Sequence, residues 1–290
     1  MTHNLAMMPT TLMISRALSV ITSSFLILLV YQSALGQDTN KYLTITASKE
    51  GFKVRVYARN ESVAPITVCL RPELQNMEAS KKLPLTTVLA PRSTTELCIL
   101  RPITRTNTWN YAYEYDANFG DYRSKHDDRH VYQLPFESGK SRTVLQGYNG
   151  SFSHQGEMAN ALDFDFEVGE RVFAIRDGLV VDTESTFDIG GTDPKMKNMS
   201  NYIMIQHDDG TLSRYYHLEK DGVRVRIGEK VAVGKFLGFS GNTGYSSEPH
   251  LHVDVYRPIN AAKAETIRTK FKTETSEAEF LNQNKQYTRP

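Results

Sequence analysis

Two histidines, His250 and His252, flank Leu251 between a glycine-rich turn, Gly241-Asn242-Thr243-Gly244-Tyr245, and an alternating run, Val253-Asp254-Val255-Tyr256. On a strand, residues two apart point to the same face, so the two imidazoles project side by side. Such a pair can give one nitrogen to a metal and set the other beside the water that the metal activates. Asp163 sits in Leu162-Asp163-Phe164 on a second expected strand. Facing inward, its carboxylate must be paired or metal-bound. The opposite register, with Leu162, Phe164 and Phe166 inward and Asp163 and Asp165 in solvent, fits the alternation equally well. His154 follows a loop at 147–153, and His217 closes Arg214-Tyr215-Tyr216-His217. Two His and one Asp form a three-ligand shell that leaves a fourth position for water, the layout of catalytic zinc. Two further His can then act as base or as donors to an oxyanion. H-E-x-x-H, G-x-S-x-G and Walker A sequences are absent, and neither cysteine has a nearby histidine.

The rest of the chain must position these groups. It has 290 residues, 40% hydrophobic and 23% charged, with 34 basic against 33 acidic side chains. That composition belongs to a globular protein, and the charge balance gives no basic face for nucleic acid. Arg16 is the sole Lys or Arg in the first 36 residues, and the apolar run 25–31 and Ala34-Leu35-Gly36 follow it. This three-part pattern predicts a signal peptide at 1–36 and an exported, periplasmic or secreted protein with no membrane partner after cleavage. Removal leaves basic and acidic groups equal in number. An uncleaved anchor is the other reading of that stretch. In an oxidising compartment Cys69 and Cys98, both on expected strands, form a disulfide or stay as buried thiols.

Runs at 42–47, 52–59, 66–70, 86–89, 95–100 and 111–115 alternate with turn signals. They predict an immunoglobulin-like β-sandwich over 37–135. The polar stretch 118–130 reads as a loop, with His126 and His130 as solvated surface side chains. Further strands are expected at 161–166, 171–174, 178–183, 202–206, 212–218, 235–238 and 250–256, with a long loop at 188–200. Ser276-Glu277-Ala278-Glu279 matches a capping box and predicts one short helix.

At these residues the sequence resembles the lysostaphin/LytM-type zinc metallopeptidases of family M23, over about 146–258. His154 and Asp163, the latter in Ala161-Leu162-Asp163-Phe164, resemble the family's first ligand pair, at a longer spacing than its common short form. Tyr215-Tyr216-His217-Leu218 resembles its Tyr-x-His-Leu motif. Ser240-Gly241-Asn242-Thr243-Gly244 and Pro249-His250-Leu251-His252 resemble its last. Glu248 departs from the glycine often found before Pro-His. The resemblance implies one Zn2+ per chain on His154, Asp163 and His252, with His217 and His250 as catalytic histidines. It implies a mainly β fold, with an antiparallel β-sheet peptidase domain of duplicated hybrid motif type at 136–258 and a C-terminal extension at 259–290 packed on it. The implied function is hydrolysis of stem peptides or cross-links in bacterial peptidoglycan by a zinc-activated water. A non-catalytic regulator of wall hydrolases and a zinc peptidase on protein substrates are the alternatives.

Overall fold

The computed structural model describes residues 39–290, so the expected signal peptide lies outside the described residues. The first seven strands are β1 (Leu43–Glu50), β2 (Lys53–Asn60), β3 (Ile66–Gln75), β4 (Met77–Ala79), β5 (Leu85–Leu89), β6 (Ser93–Pro102) and β7 (Asn110–Phe119). They form two antiparallel sheets, ordered β1-β2-β6-β4 and β5-β3-β7. Alternation dictates the packing: Val54, Val56 and Ala58 of β2 and Ile66, Val68 and Leu70 of β3 point inward and share one core with Ile45, Leu100 and Phe119. Burying each such Val, Leu, Ile or Phe stabilises by roughly 1.5–3 kcal/mol before the entropy of ordering is counted. β3 and β7 are longer than expected because they pair along ten residues, from Ile66 opposite Phe119 to Gln75 opposite Asn110, straight through Pro72.

The remainder is built on an eleven-stranded sheet. Its main path runs Lys230–Val231, Gly178–Glu184, Asn201–Gln206, Leu212–Val223, His250–Pro258, Leu162–Asp165, Ser141–Gln146, Gln286–Thr288, each neighbour antiparallel to the next. One face is largely apolar: Leu251, Val253, Val255, Phe164, Tyr215, Ile203 and Ile205 join a second core. The other face carries His252, Asp254 and Tyr256. Tyr256, Leu212, Met204 and Val181 there belong to the first core, so the N-terminal sheets pack directly on the site-bearing face. The seam has a polar latch as well. The Asp182 carboxylate, fully buried, accepts from the Tyr42 hydroxyl at 2.9 Å and the Tyr202 hydroxyl at 2.6 Å, and pairs with Lys41 Nζ at 2.6 Å.

Four expectations need correction. Cys69 and Cys98 are free thiols on different sheets. Cys98 lies in the core, whereas Cys69 alternates with inward Val68 and Leu70 and so faces away from it; only one of the two is buried. Ser276–Glu279 forms no helix, because both backbone groups of Glu279 are taken by Phe271 in a β-bridge. His126 and His130 are half-buried around Tyr132, with His126 held by Asp128 at 2.9 Å and by the Tyr132 hydroxyl at 3.1 Å. The 188–200 loop contains a short parallel pairing of Gly190–Gly191 with Gly244–Tyr245 and a 3-10 turn at Pro194–Asn198. At the C-terminus, Lys270–Phe271 pairs with Val131–Tyr132 and Gln286–Thr288 with Ser141–Gln146.

The latch gives a stability prediction. Asp182→Ala strands the buried Tyr202 and half-buried Tyr42 hydroxyls and releases Lys41, so it is expected to cost about 3 kcal/mol. A denaturant midpoint measured by fluorescence checks this. A change under about 1 kcal/mol would show that the apolar seam alone seats the N-terminal sheets.

Candidate metal centre

The His250–Pro258 strand lies between the Leu212–Val223 and Leu162–Asp165 strands, and its register places Tyr216 opposite His252 on one side and Asp163 opposite His252 on the other. Asp163 thus points to the same face as the histidines and is buried, while Asp165 is exposed. His154 arrives on the loop after Ser141–Gln146 and is fully buried. That loop is folded around Gln146, whose Oε1 accepts from the backbone of Phe152 at 3.1 Å and Ser153 at 3.3 Å. Gln146 Nε2 donates to Ser153 Oγ at 2.7 Å and to Asp163 Oδ2 at 3.1 Å. Gly150 is required here: a Cβ would fall 2.3 Å from Gln146 Cγ.

Three donor atoms converge. His154 Nε2 is 3.1 Å and His252 Nδ1 2.8 Å from Asp163 Oδ1, and one ligand atom from each residue lies within 4.8 Å of the others. The far side of each ring is already committed. His154 Nδ1 donates to the Gly147 carbonyl at 2.9 Å, and His252 Nε2 donates to Asp254 Oδ2 at 3.3 Å. Ligands on a tetrahedral ion with bonds of ~2.0–2.1 Å lie about 3.3 Å apart, close to the separations seen. Two imidazoles and one carboxylate, without sulfur, also suit zinc better than calcium or magnesium. The residues present therefore fit a single transition-type divalent ion.

Two more imidazoles flank this centre, with the rings of His217 and His250 centred 4.6 Å apart. His217 is the extra residue of a bulge: Leu218 pairs with Asn201 and Tyr216 with Tyr202, leaving His217 unmatched. Its φ of 64° lies in the left-handed region, at a cost of order 1 kcal/mol. The Ser200 hydroxyl accepts its N–H at 3.1 Å, and its Nδ1 donates to the Thr243 carbonyl at 2.7 Å. His250 Nδ1 donates to the Glu248 carbonyl at 2.8 Å, and its Nε2 is 3.8 Å from Asp163 Oδ1. Since a carbonyl can only accept, the neutral form of each ring carries its lone pair on Nε2. Glu248 contributes its carbonyl, and its side chain is exposed. At the mouth, exposed Phe152 stacks on Tyr245 at 6.4 Å, joining the His154 loop to the turn before His250.

The structure brings all five expected residues together. It adds Gln146, Gly147, Ser200, Thr243 and the buried pair Arg214–Asp254, which the sequence reading passed over. Asp254 was detectable: it follows His250 and His252 at the same two-residue period. Gln146 and the carbonyls carry no such signal.

Electrostatics follow from burial and partners. Burial alone would raise the Asp163 pKa, but hydrogen bonds from His154 and His252 and the charge of His252 hold it well below the usual carboxylate range. Burial would lower His252, yet the hydrogen bonds and charges of Asp163 and Asp254 lift it to about 9. Burial, then neighbouring His250 and His252, push His217 down to about 3, so it stays neutral.

A His–Asp–His cluster with two further imidazoles beside it, set in an antiparallel β-sheet, is an arrangement that fits one metal ion. Residues 157–265 match Peptidase family M23, so the chain carries a domain of that family. The matched span holds Asp163, His217, His250 and His252, and His154 lies three residues ahead of it. The peptidoglycan DD-endopeptidase ShyA of Vibrio cholerae is 35% identical over 130 residues, 44% of this chain and 27% of the relative. The glycyl-glycine endopeptidase ALE-1 of Staphylococcus capitis is 38% identical over 107 residues, 37% of this chain and 25% of the relative. The chain thus spans about a quarter of the length of these curated relatives. The catalytic domain of lysostaphin from Staphylococcus simulans aligns with 44% of this chain and 87% of its own, at 26% identity and a TM-score of 0.31.

The raised His252 pKa predicts proton linkage. Zinc must displace the proton on Nδ1, so uptake at pH 7 should release about one proton, and affinity should rise roughly tenfold per pH unit toward pH 9. Calorimetry in buffers of different ionisation enthalpy reads this directly; zero protons released would contradict the assignment. The sign for the metal-free fold is opposite. With a folded pKa of about 9 against an ordinary 6.5, the stability from His252 is complete below pH 6.5 and is lost as pH rises through 9. Thermal melts of chelated protein should therefore fall across that window.

Proposed function

We propose that the protein is an exported zinc metalloendopeptidase that hydrolyses peptide bonds in peptidoglycan stem peptides or cross-links. The observation that carries this reading is the convergence of His154 Nε2, Asp163 Oδ1 and His252 Nδ1 beside the imidazoles of His217 and His250, whose Nδ1 atoms are held by backbone carbonyls. These three residues would hold a zinc ion, which would supply Lewis acidity toward a water and a substrate carbonyl. The chain's own work is to place protons. With Nδ1 donating to a carbonyl, the neutral ring of His217 or His250 offers its Nε2 lone pair, so either can take a proton from the attacking water and return it to the leaving amine. Once protonated, the same atom donates to the oxyanion formed at the scissile carbonyl. The strained backbone at His217, pinned by Ser200 and Thr243, fixes where that nitrogen sits.

The substrate class rests on the ShyA and ALE-1 likenesses together with the export pattern, and it implies a periplasmic or secreted location. Among the described residues no helix is long and apolar enough to cross a membrane. The domain division follows the same reading: an immunoglobulin-like sandwich whose β1-β2-β6-β4 order resembles the A-B-E-D sheet of such domains, then the peptidase domain with its C-terminal extension.

A paired assay of bound zinc and muropeptide cleavage, read by mass spectrometry, tests the assignment. His217→Ala and His250→Ala are each expected to keep zinc and lose about 100-fold or more in turnover. His154→Ala and Asp163→Ala should lose both. Parent-like cleavage by the first two would overturn the proton-transfer roles. A zinc-loaded parent that leaves peptidoglycan intact would overturn the enzyme reading in favour of a non-catalytic regulator.

A further inference from the structure

Behind the metal centre lies a second charged layer with no assigned role. Arg214 and Asp254 face each other across neighbouring strands, two residues below the Tyr216–His252 pair. Arg214 Nε and Nη2 donate to the two Asp254 oxygens at 2.9 and 2.8 Å, and both side chains have no exposed surface. A pair this deep is poorly explained by stability, because apolar side chains of similar volume often replace such pairs without loss. Its surroundings keep it dry. The guanidinium lies 4.2 Å from the Tyr256 ring centroid and 5.6 Å from that of Tyr216. Tyr256 in turn is part of the core shared with β1–β7. Met158 Sδ also lies 3.5 Å from Arg214 Nη2.

We propose that Asp254, clamped by Arg214, is a positioning residue that fixes the ring and tautomer of His252 so that Nδ1 is offered to the metal. This rests on the metal reading of the site. An ionised carboxylate can only accept, so it requires the proton of His252 to stand on Nε2. The two Arg214 donors hold Asp254 as the acceptor and prevent it from rotating. An amide in its place meets Arg214 with its oxygen and turns its NH2 toward His252 Nε2. The ring must then carry its proton on Nδ1, the atom that should bind zinc. Arg214 thus acts on His252 through Asp254.

The test uses the full chain. Zinc affinity is measured by competition with a chromophoric chelator for the parent and Asp254→Asn, with circular dichroism and thermal melts as fold controls. The 15N imidazole resonances of His252 are recorded in the zinc-loaded parent. Asp254→Asn is expected to bind zinc 10–100-fold more weakly, a shift that a merely structural role would not produce in a protein with an unchanged spectrum. The parent should show a protonated, exchange-protected Nε2 and a metal-shifted Nδ1. Parent-like zinc affinity in folded Asp254→Asn overturns the proposal and leaves the metal reading standing. If the variant does not fold, the parent spectrum decides: a proton on Nδ1 overturns the proposal. A parent that takes up no zinc overturns the metal reading, and this inference with it.

Discussion

A buried carboxylate stays ionised only where positive charge or hydrogen-bond donors surround it, and Asp163 meets that constraint through three neighbours on three different segments. His252 reaches it by strand register, Gln146 from the adjoining strand, and His154 from the loop that Gln146 itself organises. No one of these segments makes a site alone. The register of the Leu162–Asp165 strand against His250–Pro258 is the pivotal feature, because a slip of one residue would turn Asp163 into the apolar core and Phe164 toward the metal donors. Phe164, Leu162 and Leu251, all buried on or beside that register, make the slip costly.

The sheet therefore has two faces with separate tasks. The apolar face, from Leu251 to Val255 and across to Ile203, supplies the cohesion that holds strand order. The polar face is arranged in rows along the strands. The Asp163–His252–Tyr216 row holds two of the three candidate metal donors, Arg214–Asp254 stands behind it, and Leu212–Tyr256 meets the N-terminal sheets. Going down these rows, exposure falls, from the half-buried Tyr216 to the fully buried Arg214, Leu212 and Tyr256. The bulge at His217 breaks the pattern at one point, and there Ser200 and Thr243 hydrogen-bond the residue in a left-handed conformation. Strain at such a position is consistent with a side chain aimed for use and not for packing.

Much of this was legible in the sequence because period-two alternation is a strong signal where one face is buried. The strands around Val54–Ala58, Ile203 and His250–Tyr256 follow it closely. For Asp163 alternation alone was silent, since both faces of its strand are buried at that residue: Leu162 and Phe164 on one side, Asp163 on the other. The family resemblance, carried by motif order, supplied what periodicity could not. The partners that fix tautomers were out of reach, because the carbonyls of Gly147, Thr243 and Glu248 belong to backbone geometry and not to residue type. The capping-box signature at 276–279 misled because Glu279 finds a stronger commitment in a bridge to Phe271. The half-buried His126 and His130 misled because a polar stretch can still fold against a neighbour, here Tyr132.

The central claim is that a single metal ion sits among His154, Asp163 and His252. Anomalous diffraction at the zinc edge, from crystals of protein purified without chelator, tests it most directly. The account predicts one peak per chain, within about 2.0–2.2 Å of His154 Nε2, Asp163 Oδ1 and His252 Nδ1, with no direct bond to His217 or His250. A peak bonded to His217 or His250, or one bound through His252 Nε2, would contradict it.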